Sequence, residues 1–173
     1  MGRYVFKALE VVMVALLAGM VVMVFGNVVM RYVFNDGITV SEELSRYFFV
    51  WLTFIGAVVV MREGAHMGVD ALVRRMGRGG RIVLIILSDA LILLCCGVFF
   101  WGTWAQAEVN LTNTAPVTGL NMMWVYGVGF FTAAGMAALV IPRFIRAITG
   151  RISDEELAIF AGEGDSAVKE RLE

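Results

Sequence analysis

Few side chains in this 173-residue sequence could do chemistry, and most of them lie close together. Glu42 and Glu43 are adjacent acids, His66 is the lone histidine, Asp89 is an acid inside an apolar run, and Cys95 and Cys96 are neighbours. Adjacent helix positions diverge by about 100°, so the two glutamates do not converge on one substrate atom. They read as acids at a helix start, where the helix dipole favours anions, or as an outward acidic contact for a partner's Arg or Lys. A lone histidine is a poor start for either a bis-histidine haem or a zinc site. His66 therefore reads as a surface hydrogen-bonder ahead of a pH switch. Adjacent cysteines on a helix point apart, which makes a disulfide between them implausible and leaves them as small apolar fillers. The sequence holds no Gly-rich phosphate loop, no Ser-His-Asp set and no metal cluster. No enzyme activity and no cofactor are expected.

What must position these residues is a membrane chain. Apolar residues make up 60% of the sequence and the mean hydropathy is +0.81, whereas soluble domains reach only about 45–50% even with glycine counted. So short a chain has no interior large enough to hide that surface, and lipid is the expected solvent. A net charge of −1 points to no nucleic-acid partner. A helix needs about 20 apolar residues to cross the hydrocarbon core, and four stretches qualify: about 11–30, 41–61, 82–107 and 119–141. The expected fold is all-α and integral to the membrane, with a four-helix domain over 1–152 and a charged tail over 153–173.

The connectors carry the local signals. Asn35-Asp36-Gly37 is a turn pattern, because Asn and Asp tolerate left-handed geometry and Gly adopts it freely. Thr39 followed by Glu42 is a capping-box spacing, which predicts a helix start near Val40. Arg46 then snorkels toward the surface. In the second connector Val69, Leu72, Val73 and Met76 share one helical face, as a short amphipathic helix lying in the interface would require. Pro142 and Arg143 close the fourth span, and Ser153 with Glu156 opens a short tail helix. Basic residues crowd the amino end, the second connector and the tail, while the first and third connectors hold only Arg31 and Arg46. By the positive-inside rule both termini are cytoplasmic, and the Glu42–Glu43 connector and the Pro116 loop face outward.

Asp89 costs about 2.5–3.5 kcal/mol at a helix centre, and each neighbouring Leu or Ile returns about 0.3–0.6 kcal/mol, so insertion stands. An intramembrane acid invites an ion-carrying role. Asp89 lies only two turns from Arg81, however, so a shallow position and a hydrogen bond to another helix or subunit is the plainer reading. Gly19, Gly26, Gly56, Gly97, Gly127 and Gly129 are placed where helices could approach closely.

One set of residues is more specific. Asn27-x-x-x-Arg31-Tyr32-Val33-Phe34-Asn35, then Glu42-Glu43-Leu44, Trp51-x-x-x-x-Gly56-Ala57 and Arg62-Glu63-Gly64-x-His66-x-x-Val69-Asp70 resembles the small membrane subunit of tripartite ATP-independent periplasmic (TRAP) transporters, the DctQ-type family. The likeness is continuous over about Gly26 to Leu72. It extends more weakly through Thr114-Ala115-Pro116 and Trp124, and His66-Met67-Gly68-Val69-Asp70 departs slightly from the pattern. The resemblance implies a bacterial inner-membrane subunit beside a separate, larger multi-span chain that holds the substrate and sodium sites. It also implies a transient partner, a periplasmic protein that delivers a carboxylate-bearing solute. The small subunit would scaffold the large one among phospholipids and help dock the binding protein. Arg31, Tyr32, Glu42 and Glu43 would shape the outer connector, Trp51 and Gly56 would pack the second span, and His66 and Asp70 would fix the inner connector.

Two other readings compete. An autonomous four-helix cation or proton antiporter, working as a dimer, would need Asp89 or Glu10 as its exchange site. A membrane anchor for a redox enzyme would need haem ligands that one histidine does not supply.

Overall fold

The computed structural model describes residues 2–62 and 77–153. Among them the fold is all-α: α1 (Gly2–Val33), α2 (Thr39–Arg62), α3 (Arg78–Ala105), α4 (Ala107–Thr112), α5 (Met122–Tyr126) and α6 (Val128–Ile148). Four stretches are long and apolar enough to cross a membrane: Tyr4–Val33, Thr39–Arg62, Arg78–Ala105 and Met122–Ile148, the last made of α5 and α6. The second-connector helix expected over 69–76, with His66 and Asp70, lies outside the described residues, as does the tail helix expected from Asp154.

The chain forms two compact units. One comprises Met1–Val59 and Phe99–Thr132, the other Val60–Val98 and Ala133–Glu173. In the first unit, the partly covered side of α1 runs through Phe6, Leu9, Met13, Leu16, Met20, Met23, Asn27 and Met30. That spacing alternates three and four residues, the seam of two helices crossing at a shallow angle. Phe6, Leu9, Met13 and Leu16 pack there against a core of Ile55, Val59 and Val128. Glycine lets the backbones approach: a Cβ on Gly19 would lie 3.1 Å from the Phe48 ring, and one on Gly56 3.3 Å from the Met13 methyl. On the other side of this unit a Cβ on Gly129 would lie 2.9 Å from Thr103 Oγ1, and Phe130 sits edge-on to Phe100 and Trp104. Gly26 and Gly97 have nothing within 4 Å, so they serve no helix contact among the described residues.

In the second unit Ile85, Ala147 and Ile152 form the core. α6 passes through Pro142 and ends at Ile148, about two turns beyond the boundary read from the sequence. A proline inside a membrane helix is tolerated because neighbouring groups satisfy the carbonyl it frees. The true stop is Gly150, whose φ of 67° is left-handed. Its N–H donates to the Ala147 carbonyl at 3.3 Å and the Arg151 N–H to that of Arg146 at 2.9 Å. This paired closure is the Schellman motif, and it turns Ile152 back onto Ile85.

Candidate functional site

Two residues beyond α1 the chain turns at Asn35, the one described non-glycine residue with positive φ, at 56°. The carbonyl of Met30 accepts there from Phe34 N–H at 3.0 Å and Asp36 N–H at 3.3 Å. α2 starts at Thr39, one residue earlier than the capping-box reading places it. The reason is Asn27, which is buried and faces the helix start. Its Oδ1 accepts from Ile38 N–H at 2.7 Å, and its Nδ2 donates to Glu42 Oε1 at 3.2 Å. One turn lower on the seam, Ser41 Oγ donates to the Met23 carbonyl at 2.6 Å. The expected Glu42 cap is thus replaced by a side chain from α1.

The two glutamates have separate fates. Glu42 is exposed, with its Oε1 4.0 Å from an Arg31 nitrogen. Glu43 is only 4% exposed and reaches the loop after α4. That loop is a tight turn: Gly119, at φ 66°, donates to the Ala115 carbonyl at 3.0 Å, and Ala115 donates to that of Leu120 at 2.7 Å. Pro116 fixes the first bend and brings no N–H. The next two N–H groups, from Val117 and Thr118, both donate to Glu43 Oε2, at 3.0 and 3.2 Å. Consecutive N–H groups converging on one anion make a backbone nest, and here a carboxylate from the chain itself fills it. Glu43 Oε1 accepts from the hydroxyl of Thr118 at 3.2 Å and from that of Tyr47, one turn further along α2.

A second tie reinforces the first. Trp51 Nε1–H donates to the Trp124 carbonyl at 3.1 Å, fixing α2 to α5. Asn121 caps α5 by accepting from Met123 N–H at 2.8 Å, while its Nδ2 donates to the Leu111 carbonyl at 2.7 Å. Arg46 and Tyr32 are exposed. This end of the unit is therefore a capped, internally satisfied surface of α1 end, α2 start and the 113–121 loop. It contains Asn27, Arg31, Tyr32, Asn35, Glu42, Glu43, Arg46, Trp51 and Pro116.

Asp89 is elsewhere, in the second unit, where it is fully enclosed and bonded to another helix, as the plainer reading expects. Arg143 Nε donates to its Oδ2 at 3.0 Å and Arg143 NH2 to its other oxygen. One guanidinium edge thus meets both carboxylate oxygens, the bidentate geometry that makes an arginine–carboxylate pair strong. Reading the sequence missed Arg143 as this partner. The pair follows from the antiparallel register of α3 and α6, in which Ile85 meets Ala147 and, one turn up, Asp89 falls opposite Arg143; the sequence does not state that register. Also missed were Tyr47, Val117 and Thr118, although Tyr47 stands four residues after Glu43 on one helix face. Among the described residues no cluster of His, Cys, Asp and Glu could hold a metal ion.

Comparison with known proteins agrees with this architecture. The family model described as tripartite ATP-independent periplasmic transporters, DctQ component, matches residues 20–150. A protein of Haemophilus influenzae named a TRAP transporter small permease is 38% identical over 148 residues, covering 86% of this chain and 92% of the relative. The C4-dicarboxylate TRAP transporter small permease protein DctQ of Vibrio cholerae is 27% identical over 114 residues, 66% of this chain and 49% of the relative. The sialic acid TRAP transporter small permease protein SiaQ of the same organism is 20% identical over 116 residues, 67% of each chain. With four membrane-capable helices, a family match over most of its length and a full-length relative at that identity, this chain, a multi-pass protein of the bacterial inner membrane, belongs to the DctQ family of TRAP transporter small permease components.

Proposed function

We propose that this chain is the non-catalytic scaffold of a sodium-coupled importer of an organic acid. It braces a separate, larger transport subunit in the bilayer and offers part of the surface on which a periplasmic solute-binding protein docks. The observation that carries the reading is the Glu43 clamp. An acid that could have served a substrate or an ion is spent on holding the 117–118 loop to the start of α2. What remains at that end is a fixed surface, suited to contact. Basic residues favour cytoplasmic termini, which would turn this surface to the periplasm. The relatives named for C4-dicarboxylate and for sialic acid support a carboxylate-bearing solute.

The autonomous antiporter reading loses its best residue. An exchange site must present a carboxylate to ions in turn, and Asp89 is enclosed and held by Arg143.

The deciding experiment is purification of the full chain from its native membrane in mild detergent. A large multi-span protein recovered in about equal amount supports the scaffold reading. Recovery only as a homodimer overturns it.

A further inference from the structure

Between α1 and α2 two hollows share a wall. Toward the connector lies a polar one of about 300 Å³, bordered by Asn27, Arg31, Ser41 and Glu42. Further along the helices lies an apolar one of about 460 Å³, bordered by Met20, Val21, Phe25 and Phe49. Val24, Val28 and Ser45 border both, so the two are one continuous furrow, with Arg46 at the rim of the apolar part.

The chemistry changes along this furrow as it does along a lipid. From Val28 to Met20 the apolar floor runs about 12 Å along α1, most of the ~15 Å depth of one hydrocarbon leaflet. The polar end sits where α1 finishes and α2 begins, the level of the headgroups. There Arg31 and Glu42 stand side by side, 4.0 Å apart at their nearest atoms and with side chains 71% and 57% exposed, so both keep capacity for other partners. A headgroup that carries an anion next to a cation matches them: phosphate toward Arg31 and Arg46, ammonium toward Glu42. A primary ammonium can also donate hydrogen bonds to the carboxylate, which a quaternary one cannot. A purely anionic headgroup would meet the arginines but be repelled by Glu42. An apolar helix from another protein would fill the lower part and leave an Arg and a Glu to be matched.

We infer that the α1–α2 furrow is a binding site for an ethanolamine-headed glycerophospholipid. The inference does not rest on the scaffold reading, and its test needs no other subunit. Full-length protein is reconstituted in nanodiscs containing equal phosphatidylethanolamine and phosphatidylglycerol, extracted into mild detergent, and its retained lipid counted by native mass spectrometry. The expected result is one tightly held phosphatidylethanolamine per chain. Glu42→Gln lowers the preference for phosphatidylethanolamine over phosphatidylglycerol by about fivefold, the effect of one charge-assisted contact. Arg31→Gln lowers retention of both lipids by a similar factor, about fivefold. Val28→Trp, a change at an exposed wall position, blocks the furrow and lowers retention without altering any charge. A wild-type chain that holds no phosphatidylethanolamine, or retention unchanged in all three variants, overturns the inference. So does a photo-crosslinker at position 28 that captures a protein rather than lipid in native membranes.

Discussion

Asp89 and Arg143 are 54 residues apart in sequence and locked together in space, with the carboxylate enclosed and both its oxygens taken by the guanidinium. In a chain built to sit in lipid, the enclosed Asp89 charge is tolerable because Arg143 meets both its oxygens. Their pairing explains how α3 can carry an acid in the middle of an apolar run, and why α6 continues past Pro142 far enough to present an arginine.

The two partners are not equivalent, because Asp89 is enclosed and Arg143 is partly exposed. Arg143→Met should destabilise the full-length protein by about 3–5 kcal/mol, since it leaves the enclosed Asp89 carboxylate without its guanidinium, and Asp89→Leu should cost less, because the Arg143 side chain is partly exposed. The double variant Asp89→Leu with Arg143→Met should recover most of that loss, because the apolar pair needs no partner. Thermal unfolding in detergent, followed by size-exclusion chromatography, reads the difference. Single variants that unfold like the wild type would mean that the pair does not hold α3 to α6.

The Glu43 clamp makes a different demand. Its donors are two backbone N–H groups on one oxygen and two hydroxyls on the other, and an amide keeps a single, uncharged oxygen for the N–H groups and must turn its NH2 toward the hydroxyls. Glu43→Gln should loosen the 113–121 loop, raising its hydrogen exchange at Val117 and Thr118. Tyr47→Phe removes one O–H donor and should cost about 1 kcal/mol, with the loop still in place. Equal exchange at Val117 and Thr118 in wild type and Glu43→Gln would refute the clamp.

The helices and their order were legible because runs of apolar residues long enough to span a membrane have few other uses. The turn at Asn35 was legible because few residue types accept a left-handed backbone. Pairings between distant residues were not. Nothing near Glu42 or Glu43 in sequence says that one stays in solvent while the other reaches a loop 74 residues away; that is decided by which of the two faces the interior once α1 and α2 pack. The end of α6 was misplaced for a related reason. Proline stops helices in water, where freed carbonyls and alternative turns are cheap, but continues them where neighbours satisfy the backbone. The polar residues from Asn27 to Glu43 bond one another and the 117–118 loop, because polar residues beside apolar spans have to be satisfied by something.

Asn27 is the hinge of the α1–α2 connector, and its two ends can be tested separately. Asn27→Leu removes the acceptor for the Ile38 N–H and should cost about 1–3 kcal/mol, the price of a poorly satisfied backbone donor. Asn27→Asp keeps that acceptor but places a second carboxylate against Glu42. It should be milder than Asn27→Leu, and combining it with Glu42→Gln should bring it back toward wild type. Unfolding midpoints of the four proteins check this order. Equal loss in Asn27→Leu and Asn27→Asp would mean that the contact to Glu42, not the one to Ile38, carries the effect.

The glycines divide by what they touch. Gly129→Ala places a methyl group 2.9 Å from Thr103 Oγ1 and 3.3 Å from the Phe99 ring. Neither neighbour is free to retreat: Thr103 Oγ1 donates to the Phe99 carbonyl at 2.9 Å, and the Phe99 ring stacks on Phe54. Overpacking of this kind costs about 1–3 kcal/mol, and Gly129→Ala should lower the unfolding temperature accordingly. Gly97→Ala meets nothing within 4 Å. There the only change is the helix preference of alanine over glycine, a gain of up to about 1 kcal/mol. The two variants should therefore move the unfolding temperature in opposite directions when measured on the same purified chain. If Gly97→Ala instead leaves the isolated chain intact but prevents recovery of a co-purifying membrane protein, then the open notch at position 97 receives another helix, and α3 forms part of the contact with that protein.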